Sequence, residues 1–227
     1  MISRSMEMRV ISEPFDNSVP ATTRAFNALE RMVVTLELAP GSFVTESALI
    51  QKIGLGRTPV REAVQRLAWD GLLEIRPRAG ITVTPLYGSD WLRIIDARRG
   101  IEKLLARSAA RFVTREIAGR FHEAALAIQQ AVLATDVVAF LAADKAINEA
   151  LATAADNMFA SRAAAALQSH SRRCWFRFRA HLGMADCAAL HVALIQSVLE
   201  GDENDAALNA DKLMDFLRGM AEDAATR

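Results

Sequence analysis

Proline placement is the feature of this sequence that most constrains its fold. All six prolines lie within the first 85 residues of the chain. A proline inside a helix removes a hydrogen bond and clashes with the preceding turn, so long unbroken helices are possible only in the part that follows. From Ser89 onward, apolar residues recur at helical spacing, as at Ile94, Ile101 and Leu105. We therefore expect a mixed N-terminal part followed by a bundle of about six helices.

Composition and charge exclude several classes of protein. The 227 residues are 52% hydrophobic and 24% charged, which is enough to build real cores and excludes a disordered chain. The 27 basic and 27 acidic residues cancel, so any nucleic-acid binding must come from a local excess of charge. The chain has only two cysteines, lacks an apolar leader at its start and contains no run as long as a membrane span. We expect a cytoplasmic protein with no membrane partner.

The first third of the chain reads as a series of short elements. Residues 1–20 lack hydrophobic periodicity, which predicts a mobile arm. Phe26 and Val33 then mark a helix that Pro40 stops, and a second helix is predicted over residues 46–53.

A third helix and a hairpin follow a short glycine-containing turn. Thr58 is the predicted N-cap of this helix, with Pro59 at its first position, and Gly71 ends it. Residues 72–76 and 81–85 alternate as two strands of a hairpin. Helix, helix, tight turn, helix and hairpin is the order of a winged helix-turn-helix.

The third helix and the hairpin carry the candidate DNA contacts. If the apolar stripe of the helix faces the core, polar and basic residues lie opposite it, where the first turns of a recognition helix meet base edges. These residues are Arg57, Thr58, Arg61 and Gln65. The hairpin adds Arg76, Arg78 and Gly80. The alternative is an ordinary solvated face, and for Arg66 we expect an ion pair with Glu62 one turn earlier.

The motifs in this region resemble the DNA-binding domain of GntR-family bacterial transcription regulators. They are LAPG at residues 38–41, GRTPVREAV at residues 56–64 and RAG at residues 78–80, and the likeness extends over about residues 22–86. The resemblance implies a homodimer on a palindromic double-stranded DNA operator. It also implies that Arg57 and Arg61 read bases, that Thr58 contacts a phosphate, and that the turn from Arg78 to Gly80 enters the minor groove.

The helical part resembles the FadR-like C-terminal effector domain of the same family. The motif DARRGIE at residues 96–102 carries this likeness, together with Asp144, Asn148, His191 and the Gly-Asp pair at residues 201–202. The resemblance implies that a small carboxylate-type metabolite binds in the bundle and changes DNA affinity. Arg98 would hold its carboxylate, although a simple pair with Glu102 at i,i+4 is the alternative.

Many proteins of this subgroup hold a divalent metal with one Asp and three His. Here the matching positions are Asp144, Asn148 and His191, and the last histidine falls near Leu213 or Met214, which offer no ligand. Three outcomes remain open: a weakly held divalent metal on the three polar residues, a polar pocket in which Asn148 and His191 bind the effector directly, or a core histidine without a ligand. We prefer the polar pocket.

A dense basic and aromatic stretch lies at residues 170–179. Within a long helix its aromatic residues are expected to be buried, and one of Arg172 or Arg173 to reach an anionic effector. We expect both cysteines to be buried structural thiols.

These observations predict a mainly α protein with three parts: a mobile arm over residues 1–20, a winged helix-turn-helix over residues 21–87, and a helical effector-binding and dimerisation domain over residues 88–227. The predicted function is a DNA-binding transcription regulator controlled by a small organic acid, and not an enzyme. Two alternatives are a metal-dependent enzyme in the bundle and a constitutive dimeric DNA-binding protein without an effector.

Overall fold

A computed structural model describes residues 19–178 and 183–226, so most of the predicted arm lies outside the described residues. Within the described ranges, the N-terminal part contains three helices and three short strands. They are α1 (Ala21–Val34), β1 (Phe43–Val44), α2 (Glu46–Ile53), α3 (Arg57–Trp69), β2 (Leu73–Arg76) and β3 (Gly80–Val83). The strands form an antiparallel sheet in the order β1-β3-β2, in which Ile75 pairs with Ile81 and Phe43 with Thr82.

A side-chain cap explains where the second helix begins, and the N-cap of the third helix differs from the predicted one. The Thr45 Oγ1 accepts a hydrogen bond from the Ala48 amide at 3.2 Å and caps α2. Helix α3 begins at Arg57, with Gly56 as an N-cap that has no side-chain bond, so the prediction that Thr58 caps it is wrong. Pro59 fits within the first turn because amides there have no partner inside the helix.

The second part of the described chain is entirely helical, as the sequence predicts. Its helices are α4 (Gly88–Phe112), α5 (Arg115–Ala134), α6 (Val137–Ala154), α7 (Met158–Phe178), α8 (Met184–Glu200) and α9 (Glu203–Ala225). Thr114, Asp136 and Asp202 cap α5, α6 and α9 through their side chains. At the start of α7 the Asn157 carboxamide accepts a hydrogen bond from the Ala160 amide at 3.1 Å.

Each of the two parts is held together by a large hydrophobic cluster of its own. The first lies between α1, α2, α3 and the small sheet, and its fully buried members include Leu29, Leu49 and Leu67. The second fills the bundle around residues such as Trp91 and Phe140. Largely separate cores of this kind are expected for two folding units, although Val34 of α1 is buried in the bundle cluster and joins the two parts.

None of the described helices is both long and apolar enough to cross a membrane.

Candidate functional site

The predicted DNA-contacting residues of α3 share one exposed face. Arg57, Thr58, Arg61 and Gln65 are exposed, whereas Val60 on the opposite side is fully buried. We call these four exposed residues the recognition face.

Its arginines are free to reach a ligand. The Arg57 side chain is 80% exposed, and its Nε lies 3.9 Å from a Glu46 carboxylate oxygen. Arg61 has no ion pair with any residue that the structure describes. Exposed pairs as long as the first contribute little stability, so little is lost when either guanidinium turns to another anion.

Arg66 does not form the ion pair with Glu62 that the sequence predicts. Its guanidinium carbon lies 3.8 Å from the centre of the Phe26 ring, in a cation–π contact, instead of pairing with Glu62. This contact ties α3 to α1, so Arg66 supports the packing behind the recognition face.

The hairpin of β2 and β3, which we call the wing, presents two arginines. Arg76 is exposed and donates to Glu74 at 3.0 Å. Arg78 is exposed with a φ of 63°, in the left-handed region that favours glycine. The Ala79 amide donates to the Arg76 carbonyl at 3.1 Å, so the tip is a turn with Pro77 at its second position.

Gly80 has a structural reason to be glycine. Its φ is 119°, and a Cβ placed there would lie 2.4 Å from the Phe43 ring. The wing therefore needs glycine at this position for its backbone geometry and for the close approach of β1.

The bundle contains a small cavity of about 20 Å³ among α4, α6, α7, α8 and α9. Its wall combines cationic, polar and apolar side chains. The lining residues are Arg98, Phe140, Leu141, Asp144, Ser171, Arg172, Trp175, Cys187, His191 and Leu217. Four of the predicted effector residues are thus brought together: Arg98, Asp144, Arg172 and His191.

The Asp144 carboxylate lies at the centre of the polar wall. Its Oδ1 is 3.0 Å from His191 Nε2, and its Oδ2 is 3.5 Å from Arg172 Nη1. The Asn148 carboxamide also donates to Oδ2, at 3.2 Å. On its other side, His191 Nδ1 lies 2.8 Å from the Cys187 carbonyl, the geometry of a donated hydrogen bond.

Burial and charge act in opposite directions on the Asp144–His191 pair. Burial raises the pKa of Asp144, but the hydrogen bond and charge of His191, together with Arg172, outweigh burial and hold this pKa at about 2. Burial lowers the pKa of His191, but Cys187 and the Asp144 carboxylate outweigh it and raise the pKa well above its usual value. Asp144 is therefore ionised at neutral pH, and His191 favours its cationic form.

Arg98 is paired within its own helix, as the structural alternative predicts. Its Nη2 lies 2.8 Å from Glu102 Oε1, and both side chains are buried. The Gln168 carboxamide donates to the same oxygen at 3.1 Å. Arg98 still lines the cavity, so the pair and the predicted contact with a carboxylate are compatible.

Two predicted effector residues do not line the cavity. Arg173 donates to the Thr84 carbonyl at 2.6 Å and to its hydroxyl at 3.0 Å, on another side of α7 from Arg172. Consecutive helical residues point in directions about 100° apart, and the Arg173 side chain is directed at Thr84. Asn148 lies one turn beyond the wall and orients Asp144. This geometry does not support direct effector binding by Asn148 or Arg173, and both contacts stay predictions.

Sequence reasoning missed the aromatic wall of the cavity. Phe140 and Trp175 stack with ring centres 4.9 Å apart. The indole Nε1 of Trp175 is buried and has no hydrogen-bond partner in the part of the chain that the structure describes. The spacing could have pointed to this residue, because Trp175 lies one turn after Ser171 on the same helix face, and both line the cavity.

The donors around Asp144 do not fit a divalent cation. The imidazole, the carboxamide and a guanidinium all direct N–H groups at its carboxylate oxygens. Nowhere in residues 19–178 and 183–226 do three His, Cys, Asp or Glu side chains converge as metal ligands would. With a guanidinium 3.5 Å away, the carboxylate already has a cationic partner.

Comparison with known protein families decides the assignment. Residues 21–83 match the family described as "Bacterial regulatory proteins, gntR family", and residues 93–215 match the FCD domain. The chain belongs to the GntR family. It is a transcription regulator of that family with an FCD effector-binding domain, and GntR regulators bind DNA operators and typically act as dimers.

Known proteins similar to this GntR chain agree with the assignment. An HTH-type transcriptional regulator of Agrobacterium vitis from the TAR-I ttuE-ttuC' intergenic region is 29% identical over 142 residues, which cover 61% of this chain and 83% of that protein. A probable D-xylose utilization operon transcriptional repressor of Paenarthrobacter nicotinovorans is 27% identical, over 76% of this chain and 78% of that one. The E. coli McbR/YncC structure shares the fold, with a TM-score of 0.76 at 18% identity, over 90% of this chain and 98% of that one. These GntR relatives and domains indicate a regulator rather than an enzyme.

Proposed function

We propose that this protein is an operator-binding transcription regulator whose DNA affinity is set by a small carboxylate-type metabolite in the cavity. Residues 21–87 bind a palindromic operator, and residues 88–227 bind the metabolite and dimerise. The observation that carries the proposal is the cavity wall, in which three basic side chains, Arg98, Arg172 and His191, lie together inside the bundle.

The cavity chemistry favours an organic acid over a neutral ligand. Guanidinium groups bind carboxylates through paired hydrogen bonds, and protonated imidazole adds a third charged donor. The buried indole Nε1 of Trp175 offers a further donor without a protein partner. The stacked Trp175 and Phe140 rings supply an apolar surface for a short carbon skeleton.

Three features of the N-terminal part support the DNA-binding role. The recognition face is exposed and nearly free of internal pairing. The wing carries two more exposed cations. Arg78 also occupies a backbone conformation that favours glycine, so its side chain is kept at a cost to stability.

An exposed apolar stripe supports the dimerisation role of the bundle. Leu126 and Leu133 lie two turns apart on α5, with 55% and 86% of their surfaces exposed. Apolar side chains on one face of a helix suit contact with a second copy of the chain.

DNA recognition is tested by selecting an operator from random DNA with the full chain and measuring affinity by fluorescence anisotropy. Arg61→Ala is expected to weaken binding by about 1–3 kcal/mol and to relax the sequence preference. Arg115→Ala, which removes an equally exposed arginine at the start of α5, is the matched control and leaves affinity unchanged. Unchanged binding by Arg61→Ala refutes the recognition-face assignment.

Effector control is tested by repeating the operator titration with a panel of mono-, di- and hydroxycarboxylic acids. At least one acid is expected to change operator affinity and to quench or shift the tryptophan fluorescence of the chain, to which Trp175 contributes. Arg98→Ala abolishes this response while the dimer stays folded. A panel without effect on either readout supports a constitutive DNA-binding protein instead.

A further inference from the structure

A short segment of α7 makes polar contacts with several elements of the N-terminal part. Ser169 donates to Glu30 of α1. His170 Nε2 lies 2.8 Å from the Asp70 carbonyl at the end of α3. Arg173 donates to Thr84, just after β3. The segment, which we call the α7 clasp (Ser169–Arg173), therefore fixes the DNA-binding half on the bundle through hydrogen bonds.

Arg172, a charged residue of the α7 clasp, also reaches the cavity. Arg172 Nη2 lies 3.0 Å from Glu30 Oε1, and Arg172 Nη1 lies 3.5 Å from Asp144 Oδ2. Its side chain is 9% exposed and lines the cavity wall. The two arms of a single guanidinium thus join a carboxylate of the DNA-binding half to a carboxylate of the effector site.

The buried charge of Glu30 depends on this contact with Arg172 for part of its compensation. Its side chain is 5% exposed, and its partners are Arg172, Lys145 and Ser169. Burial raises the pKa of Glu30, but the charges of Arg172 and Lys145 outweigh burial and lower it, so Glu30 is ionised in the folded chain. A buried carboxylate that loses one of two cationic partners pays a desolvation penalty that is no longer offset.

The charges around the cavity are already balanced by internal partners. Arg98 pairs with Glu102, His191 with Asp144, and Arg172 with Glu30. An anionic ligand therefore has to compete with a protein carboxylate for each cation. Among these pairs, the one formed by Arg172 and Glu30 connects α7 to the DNA-binding half.

We propose that the anionic effector competes with Glu30 for Arg172, so that filling the cavity releases the Arg172–Glu30 ion pair between α7 and α1 and loosens the hold of the bundle on the DNA-binding half. This inference rests on the proposed function for its ligand, but the link from Asp144 through Arg172 to Glu30 exists without one. Because coupling between two sites is reciprocal, loss of the Glu30 carboxylate strengthens effector binding.

The link is tested first without a ligand, by hydrogen exchange of the α1 amides in the full chain. Glu30→Gln is expected to speed this exchange. Asp144→Asn removes the competing carboxylate, so that Arg172 pairs with Glu30 alone. This substitution is expected to slow the exchange of the α1 amides by about 5-fold or more. In an Arg172→Lys background, where one ammonium replaces the two-armed guanidinium, the effect of Asp144→Asn is lost. Unchanged α1 exchange in Asp144→Asn overturns the inference.

The competition is tested next with succinate, a small dicarboxylate, as the probe, followed by calorimetry. Glu30→Gln is expected to bind succinate about 5- to 10-fold more tightly than the parent chain. His170→Ala loosens the same clasp without touching Arg172 and leaves succinate affinity unchanged. Equal tightening in both variants shows that general loosening is responsible and overturns the role of Arg172.

The two proposals fail in different ways. If succinate and the wider acid panel do not bind, the proposed effector function fails, while the exchange experiment on α1 still decides whether Arg172 links the two halves. If acids bind but Glu30→Gln leaves their affinity unchanged, the effector function stands and the competition for Arg172 is wrong.

Discussion

Replacing Arg78 with glycine should separate the stability of the wing from its binding function. At a φ of 63°, a residue with a Cβ loses roughly 1–2 kcal/mol relative to its favoured conformations. Glycine avoids this cost but loses about 0.5–1 kcal/mol more conformational freedom on folding. We therefore expect Arg78→Gly to raise the free energy of unfolding of the DNA-binding half by roughly 0–1.5 kcal/mol, measured by urea denaturation.

The same substitution is expected to weaken DNA binding. Arg78 is exposed at the tip of the wing, so its loss removes about one phosphate or minor-groove cation. Operator affinity should fall across sequences, and the slope of log affinity against log salt should decrease by about one. Fluorescence anisotropy at several salt concentrations measures both quantities.

Two matched variants isolate the cause. Arg78→Lys keeps the charge and the left-handed backbone, so it should keep the salt slope without a gain in stability. Ala79→Gly adds a glycine to the same turn without removing the charge or relieving the φ of Arg78. A fall in stability on Arg78→Gly would refute the strain argument, and an unchanged salt slope would remove Arg78 from the DNA contact.

Further predictions concern the wing and the cavity. Arg76→Ala should lower affinity for all DNA sequences alike, as anisotropy on operator and scrambled DNA will show. Gly80→Ala should destabilise the DNA-binding half by about 1–3 kcal/mol in urea denaturation, because of its φ of 119° and the nearby Phe43 ring. His191 should titrate at a higher pH than His170, whose pKa burial lowers, and NMR of the imidazole protons should show the His191 value fall in Asp144→Asn. The pKa of Asp144 is lowered from 3.8 to about 2, so its ionised carboxylate contributes roughly 2 kcal/mol to the free energy of unfolding above pH 4. This contribution is lost as the pH falls towards 2. The difference in stability between the parent chain and Asp144→Asn should therefore close over that range.

Local patterns in the sequence are sufficient to predict most of the helices and strands of the fold. The apolar stripe of Val60, Val64 and Leu67 fixed which side of α3 is buried, and the structure places Arg57 and Arg61 on the exposed side. The observed helix caps at Thr114, Asp136 and Asp202 are of the same local kind, because the chemistry of a cap lies within three residues. Such features depend on neighbours in the chain and are visible without a structure.

Other features depend on contacts between distant elements. The two-residue strand β1 was not predicted, since it exists only because Phe43 and Val44 pair with β3. The approach of Asp144 to His191 followed from family resemblance, and no spacing in the sequence requires it. Which of Arg172 and Arg173 faces the cavity depends on the rotation of α7 in the bundle, which periodicity alone does not define within one residue.

Glu30 shows most clearly where sequence reasoning ended. A single acid on a short helix normally lies in solvent, and burial of such a group requires cationic partners. Those partners, Lys145 and Arg172, are more than a hundred residues away and come from two different helices. Net charge gave no hint of them, because zero net charge is equally compatible with surface pairs and a buried network.

This network forms the polar part of the contact between the two halves, beside the buried Val34 side chain, and it bears on regulation. A broad hydrophobic interface between the halves could be released only by exposing apolar surface to water, which a small ligand cannot easily offset. The α7 clasp instead makes hydrogen bonds and one buried ion pair, and the carboxylate of that pair, from Glu30, is a group that another carboxylate can replace. A metabolite that brings its own carboxylate to Arg172 therefore changes partners without opening a core. A ligand bound in the bundle can therefore act through the clasp on DNA-binding helices that the ligand does not touch.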